Sequence, residues 1–245
     1  MAELCVMRGK LWSGSLFLVF VFTYTKVAAQ EYSNLPDTLF FDPPIEHVHI
    51  TKLDTTHTVV AELPEVHTRL VELKGDWYGS RYALAIATNG GFDLLPINAS
   101  NSVDEVHVST ADVLGNGQLQ VVVRTKNYMG HSGWEHSIHE REWAVQVWDL
   151  QRQQRILHLN TGYSMEEWTN YWTPDSTGLL SYEERTMLSS EGDRICETNE
   201  VQFNPKEITV VPTDDCPDLD DQDDIPRTPR PTVRYVIGSG FWVRP

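Results

Sequence analysis

The sequence predicts an all-β protein, built as a single antiparallel β domain with its sheets in a sandwich-like arrangement. Short runs rich in β-branched and aromatic residues recur along the chain and are separated by turn-forming residues, which is the pattern of an all-β domain. Amphipathic helical patterns are scarce. The last two apolar runs flank a glycine-rich turn that is typical of a β-hairpin.

The first 29 residues are predicted to be a secretory signal peptide. The basic residues Arg8 and Lys10 precede an apolar run at 11–24, and the small residue Ala29 marks the cleavage site. The run is shorter than the roughly 20 residues that a membrane-spanning helix needs. We therefore expect an exported protein, secreted or periplasmic, whose domain at 30–245 has no membrane span.

Eight apolar runs are predicted to be strands, and the turn-rich segment 30–44 before them is expected to be loosely held. Val106 and Val108 alternate with polar residues, which indicates a strand with one face in solvent. Val121–Val123 run together, which indicates a strand buried on both faces. The predicted strands are residues 57–63, 67–73, 81–87, 92–97, 105–110, 118–125, 142–150 and 155–160.

Two further features are predicted near the C-terminus. Seven aspartates crowd into residues 214–224, and their mutual repulsion predicts an extended acidic loop. Residues 232–244 are predicted to form a β-hairpin whose strands flank the three-residue turn Gly238-Ser239-Gly240.

The net charge argues against one class of partner, and the cysteines and a sequon indicate covalent modifications. The chain has 19 Lys and Arg residues against 35 Asp and Glu residues, a net charge of −16, which argues against nucleic acid as a partner. Cys196 and Cys216 remain after signal removal and predict one disulfide, with two unpaired thiols as the alternative. Asn98 begins a sequon, which is glycosylated only if the source organism modifies exported proteins.

The stretch ADVLGNGQLQVVVRT, residues 111–125, has the spacing of a calcium loop. Asp112 and Asn116 would supply ligands, but Leu114 stands where a third oxygen is needed, and calcium takes roughly six to eight oxygens. The same residues suit a tight turn, because Gly117 tolerates positive φ and Asp112 can accept backbone hydrogen bonds. We interpret the stretch as a turn between two strands, with bound calcium as the alternative.

Residues 105–160 resemble one unit of the FG-GAP or VCBS-type repeat, the family that builds integrin-like β-propellers. The stretch just described supplies the strand, acidic glycine-rich loop and apolar strand, and AVQVWDLQRQQRILHL, residues 144–159, is similar to the outer hairpin of a blade. The resemblance implies ligand positions at Asp112 and Asn116, and Leu114 departs from the pattern. Because the loop motif is not repeated, a partial, irregular propeller is the alternative to a sandwich.

The segment GHSGWEHSIHERE, residues 130–142, concentrates groups that can bind zinc or transfer protons. Zinc binding would require a helical turn, because His136 and His139 would lie on opposite faces of a strand. An exported hydrolase acting on polysaccharide could use Glu135, Glu140 or His139, and Glu135 and Glu140 could pair as acid and base if they face one cleft. The alternative is a solvated hairpin loop. The candidate groups are His131, Glu135, His136, His139, Glu140 and Glu142.

Aromatic residues crowd into the same half of the chain. Trp143 alternates in step with valines of a predicted strand and is expected in the core. The stretch YSMEEWTNYW, residues 163–172, mixes polar and aromatic residues and is the better candidate for an exposed binding platform, formed by Trp168, Tyr171 and Trp172. The alternative is that these aromatic residues fill the core.

The chain contains no complete catalytic motif. The first functional hypothesis is therefore an exported, non-enzymatic binding or interaction protein with a protein or carbohydrate partner and no required cofactor. The alternatives are a polysaccharide hydrolase acting through residues 130–142 and a calcium-stabilised structural module using Asp112, Asn116 or the acidic loop.

Overall fold

The computed structural model describes residues 35–77, 80–97, 103–132, 136–172, 187–213 and 229–245, and residues 36–245 form one compact unit. Apart from one 3₁₀ turn, all regular structure in these ranges is β, and every strand pair is antiparallel. The predicted all-β antiparallel fold is confirmed. The predicted signal peptide, the predicted acidic loop at 214–224, and the residues Asn98, Glu135 and Cys216 lie outside the described residues.

Fourteen strands are described. They are β1 Thr38–Phe40, β2 Val48–Ile50, β3 His57–Leu63, β4 Thr68–Trp77, β5 Ser80–Thr88, β6 Gly91–Ile97, β7 Val103–Ala111, β8 Gln120–Ser132, β9 His136–Asp149, β10 Gln154–Trp172, β11 Met187–Asn204, β12 Glu207–Pro212, β13 Val233–Ile237 and β14 Phe241–Val243. The 3₁₀ turn, Pro64–Val66, connects β3 to β4.

The strands form two sheets. The smaller has five strands in the order β2-β6-β5-β4-β3, and the larger has nine in the order β1-β14-β13-β12-β11-β10-β9-β8-β7. From β7 to β14 each strand pairs with the next along the chain, so the larger sheet is a meander with β1 added at its edge. The predicted C-terminal hairpin is confirmed as β13 and β14, with Gly240 at a φ of 85° in the turn.

The two sheets share one apolar core. Leu70 and Leu84 of the smaller sheet cluster with Val121, Val123 and Trp148 of the larger one, and all five are 0% exposed. This is the face-to-face packing of a sandwich. Each fully buried side chain of this size contributes about 1.5–3 kcal/mol, so this layer is the main apolar source of stability.

The larger sheet is also covered on its other face. Val122 points away from the shared core and is 1% exposed, which confirms the prediction that β8 is buried on both faces. Contacts from the C-terminal strands supply the second cover. The Arg124 guanidinium stacks over the Phe203 ring at 5.7 Å, and the Trp242 indole donates to the carbonyl of Ile156 at 2.8 Å.

Residues 36–45 form a segment that we call the N-terminal strap. It pairs with β14 through β1, and the Tyr235 hydroxyl donates to the carbonyl of Pro36 at 2.7 Å. It then crosses to the β9–β10 turn, where the Ile45 amide donates to the carbonyl of Gln153 at 3.0 Å. The expectation that residues 30–44 are loosely held is wrong for the described part, because a strand pairing and several backbone hydrogen bonds fix it.

A buried ion pair anchors the centre of the strap. The Arg155 Nε pairs with Asp42 Oδ2, and the Arg155 guanidinium lies 6.0 Å from the Trp148 ring centroid. The Asp42 amide also donates to the carbonyl of Arg155 at 2.9 Å. Arg155 is only 8% exposed, so its charge depends on Asp42 for compensation.

We expect the change Asp42→Ala to destabilise the protein by about 3 kcal/mol, because it leaves the buried Arg155 charge unpaired. Urea denaturation measures the loss. The matched control is Asp37→Ala, which removes a strap carboxylate that is 85% exposed and should cost less than about 1 kcal/mol. The double change Asp42→Ala with Arg155→Met should recover part of the loss. Equal effects of Asp42→Ala and Asp37→Ala would contradict the assignment.

Candidate functional site

The strands β8 to β11 continue beyond the sandwich core. The sequence predicts strands that end at residue 125 and begin at residue 142, yet the hydrogen-bonded ladder runs on to Ser132 in β8 and starts at His136 in β9. We call this continuation the outer sheet, residues 125–132, 136–143, 161–172 and 187–198. The side chains of 129–137, 167–172 and 187–195 lie outside the described part of the structure.

A glycine and a shift in pairing register shape β10 where it enters the outer sheet. The pairing register with β9 shifts between Asn160 and Gly162, which is the behaviour of a β-bulge. A Cβ on Gly162 would lie 3.0 Å from Cε3 of Trp143, so this position admits only glycine without movement of the indole. Trp143 is half-buried over this glycine, whereas Trp148 occupies the centre of the inter-sheet core.

One face of the outer sheet carries carboxylates around a buried tyrosine. The register places Tyr163 between Glu142 of β9 and Glu197 of β11. The Tyr163 hydroxyl donates to Glu140 Oε1 at 2.6 Å, and Tyr163 is 2% exposed. This acidic face therefore holds three carboxylates, of which the hydrogen bond fixes Glu140 directly.

Arg230, from the segment before β13, contacts the acidic face at β11. Arg230 Nη1 lies 3.7 Å from Glu197 Oε2, and Arg230 Nη2 donates to the carbonyl of Thr198 at 2.9 Å. Its side chain is 9% exposed. The ion pair and the hydrogen bond thus tie residue 230 to the edge formed by β11.

The opposite face carries basic and aromatic groups. The Tyr128 hydroxyl and His139 Nδ1 are 2.9 Å apart, and the Arg141 guanidinium lies 5.8 Å from the Tyr128 ring centroid. His139 and Glu140 are neighbours in a strand and point to opposite faces. A cleft on either face could therefore contain only one of these two side chains.

Residues 136–142 belong to a strand rather than to a helical turn. The helical spacing that would let His136 and His139 share a zinc ion is absent. The alternative of a solvated hairpin loop is also wrong for these residues. Within the described residues, no group of three or more His, Cys, Asp or Glu side chains is arranged to hold a metal ion.

The predicted aromatic platform lies in the paired part of β10. Trp168 pairs with Ser137 of β9 and with Glu191 of β11, and Trp172 pairs with Met187. Trp168 and Trp172 occupy positions of the same parity in the strand, whereas Tyr171, paired with Leu188, occupies the other. Exposure of the three rings remains a prediction, because their side chains are outside the described part.

The loop at Asp112 forms the tight turn between β7 and β8. Asp112 Oδ1 accepts from the amide of Asn116 at 3.1 Å, and Asp112 Oδ2 accepts from the amide of Gly117 at 3.0 Å. Gly115 and Gly117 have φ values of 61° and 80°, which favour glycine. The turn interpretation is confirmed, and both carboxylate oxygens of Asp112 already have backbone partners.

Two histidine–carboxylate clusters were missed by sequence reasoning. His49 Nδ1 lies 2.9 Å from Asp93 Oδ1, and His47 Nε2 lies 3.7 Å from Asp93 Oδ2. In the second cluster the Thr56 hydroxyl and amide hydrogen-bond to Asp54, with His57 also close by, and together they lower the pKa of Asp54 to about 2. The alternating His-Val-His pattern at residues 47–49 was the only sequence signal for the first cluster.

A cavity of about 360 Å³ opens on the smaller sheet. Glu62, His67, Arg69 and Phe92 contribute to its walls, and the Arg69 guanidinium stacks over Phe92 at 5.5 Å. None of the site residues predicted from the sequence lines this cavity. Its walls come from the sheet that does not carry the outer strands.

Comparison with known proteins finds no match to a family model, to a curated protein or to a solved structure. The resemblance of residues 105–160 to the FG-GAP or VCBS-type repeat therefore stands on the sequence pattern alone. In the structure those residues run from β7 into the first part of β10, as consecutive strands of the larger sheet.

We expect the change Asp112→Ala to destabilise the protein by about 1 kcal/mol, because two turn amides lose their acceptor. Urea denaturation measures the change, and Asn116→Ala, which removes only a local side-chain acceptor, is the milder comparison. The melting temperature of the wild type should be the same with calcium and with a chelator. A calcium-dependent rise that Asp112→Ala abolishes would instead establish a metal site.

Proposed function

We propose that the protein is an exported, non-enzymatic binding protein that uses the outer sheet to hold a carbohydrate or protein partner. The pairing of Trp168 with strands on both sides carries the proposal, because a central strand holds its backbone in one geometry. An aromatic side chain on such a backbone loses little additional entropy when it binds.

The chemistry of the aromatic run supports this role. Tryptophan and tyrosine provide large apolar surfaces with one polar atom, and they stack on sugar rings and anchor protein interfaces. Because Trp168 and Trp172 have the same parity in β10, we expect them to act on one face. Tyr171 belongs to the other face by the same rule.

The first alternative is a polysaccharide hydrolase. The hydrogen bond between Tyr163 and Glu140, beside Glu142, favours it, since paired carboxylates are the usual catalytic groups of glycosidases. His139 is not a catalytic group in this hydrolase, because it lies on the face opposite Glu140.

The second alternative is a calcium-stabilised module, which the resemblance to the FG-GAP or VCBS-type repeat favours. The side chain of Leu114 argues against it, because it supplies no oxygen at the position where an ion would need a third ligand.

Export and a disulfide between Cys196 and Cys216 are part of the proposal. Cys196 is 6% exposed in β11, and a bond to Cys216 would fasten the acidic loop to the outer sheet. In the described residues, no helix has the length and apolar character needed to cross a membrane.

We expect Trp168→Ala and Trp172→Ala each to weaken binding by about 2 kcal/mol, or roughly thirty-fold, if they form the centre of the binding surface. Affinity electrophoresis of the folded protein in gels containing soluble polysaccharides measures the change. Phe40→Ala is the matched control, because Phe40 is a 73% exposed aromatic residue on β1.

The same protein samples distinguish the binding protein from the hydrolase. Release of reducing sugar from a bound polysaccharide, abolished by Glu140→Gln, would establish the hydrolase. If Trp168 and Trp172 are shielded from acrylamide quenching and their loss only lowers the melting temperature, the platform proposal is wrong.

We expect mass spectrometry of the unreduced protein to show Cys196 and Cys216 joined. Opening a loop of about 20 residues should cost roughly 3 kcal/mol in the chain-entropy model, so reduction should lower the melting temperature. Detection of both thiols in the free form would contradict the pairing and weaken the argument for export.

A further inference from the structure

The basic face of the outer sheet contains a guanidinium that lacks an anionic partner. Arg141 is half-buried, and its Nη1 atom is fully buried with no hydrogen-bond partner. Within the described residues its one assigned interaction is stacking on the Tyr128 ring. Removing a guanidinium from water is costly unless a charged or hydrogen-bonding partner compensates.

A second unpaired polar group lies directly beside it. Ser164 of β10 is the cross-strand partner of Arg141, so the two side chains share a face with their Cβ atoms about 5 Å apart. Ser164 is 0% exposed, and no described residue supplies a hydrogen-bond partner for its hydroxyl. Two buried groups with protons to donate therefore adjoin one another, and neither is satisfied.

Tyr128 and His139 complete the row. Tyr128 is the cross-strand partner of Arg141 on the side away from Ser164, and its hydroxyl meets His139 Nδ1. The nearest carboxylate in the register, Glu166 opposite His139, is engaged in an interaction of its own. In the described part of the structure, Arg141 Nη1 and the Ser164 hydroxyl are thus donors without an acceptor, in a chain where acidic residues outnumber basic ones.

We propose that Arg141 and Ser164 form a binding site for an oxyanion group, namely a carboxylate, sulfate or phosphate carried by a ligand. A planar guanidinium donates two parallel hydrogen bonds to such groups, and a neighbouring hydroxyl adds a third. Tyr128 holds the guanidinium in place through its ring. The site is independent of the aromatic platform, because it uses other residues of the outer sheet.

The experiment is isothermal titration calorimetry of residues 30–245 with sodium acetate, sulfate and phosphate, each at millimolar concentration and constant ionic strength set with sodium chloride. The three salts distinguish the class of anion. We expect saturable binding of at least one of them, weakened roughly tenfold or more by Arg141→Met and by Ser164→Ala. Arg141→Lys should retain part of the affinity.

Two controls isolate the site. Arg124→Met removes one positive charge from the same face of the larger sheet and should leave the affinity unchanged, since Arg124 is exposed and stacks on Phe203. Phe40→Ala should also leave it unchanged, because Phe40 is an exposed residue of β1, outside the outer sheet. In buffer that contains chloride as its only anion, Arg141→Met should keep or raise the melting temperature, because it removes an uncompensated buried charge.

Three outcomes would overturn the proposal. The first is the absence of saturable binding of all three anions to the folded wild type, which would mean that water alone satisfies these donors. The second is binding that Arg141→Met leaves intact. The third is a fall in the melting temperature of Arg141→Met in buffer that contains chloride as its only anion, which would show that stacking on Tyr128 is the role of this arginine.

Discussion

The buried ion pair between Asp42 and Arg155 is the constraint on which the rest of the structure depends. Its two residues are 113 positions apart, so the pair forms only when the N-terminal strap lies across the start of β10. That position also holds β1 against β14 and brings Ile45 to the shared core. By holding the strap, the buried Arg155 guanidinium thereby links the C-terminal hairpin, the larger sheet and the sandwich interface.

The long strands divide into two chemically distinct halves. Their inner halves are apolar on both faces and are covered by the smaller sheet on one side and by the C-terminal strands on the other. Their outer halves carry carboxylates on one face and Tyr128, His139 and Arg141 on the other. Because one hydrogen-bonded ladder contains both halves, the register fixed in the core also determines which polar side chains meet at the site.

Much of the fold could be predicted from the sequence, because apolar alternation marks a strand wherever one face is buried. All eight predicted strands occur, and the Asp112 turn was identified from its glycines. The outer ends were missed because residues such as Glu140 and Arg141 alternate without an apolar signal. Strand β12 was missed although Ile208 and Val210 are fully buried. The proximity of Arg141 and Ser164 follows from pairing register, which no local pattern encodes.

The strap also determines the order in which the strands of the protein can pair during folding. Strands β7 to β14 pair with their neighbours in sequence, and contacts of this local kind favour rapid folding. The strap is synthesised before all of them, but its partner β14 is made after the other strands of this meander. During synthesis the strap must therefore wait unpaired, with Phe41 and Ile45 exposed, until the C-terminal hairpin emerges. Closure of the domain is thus a late, long-range event that a chaperone could delay without disturbing the meander.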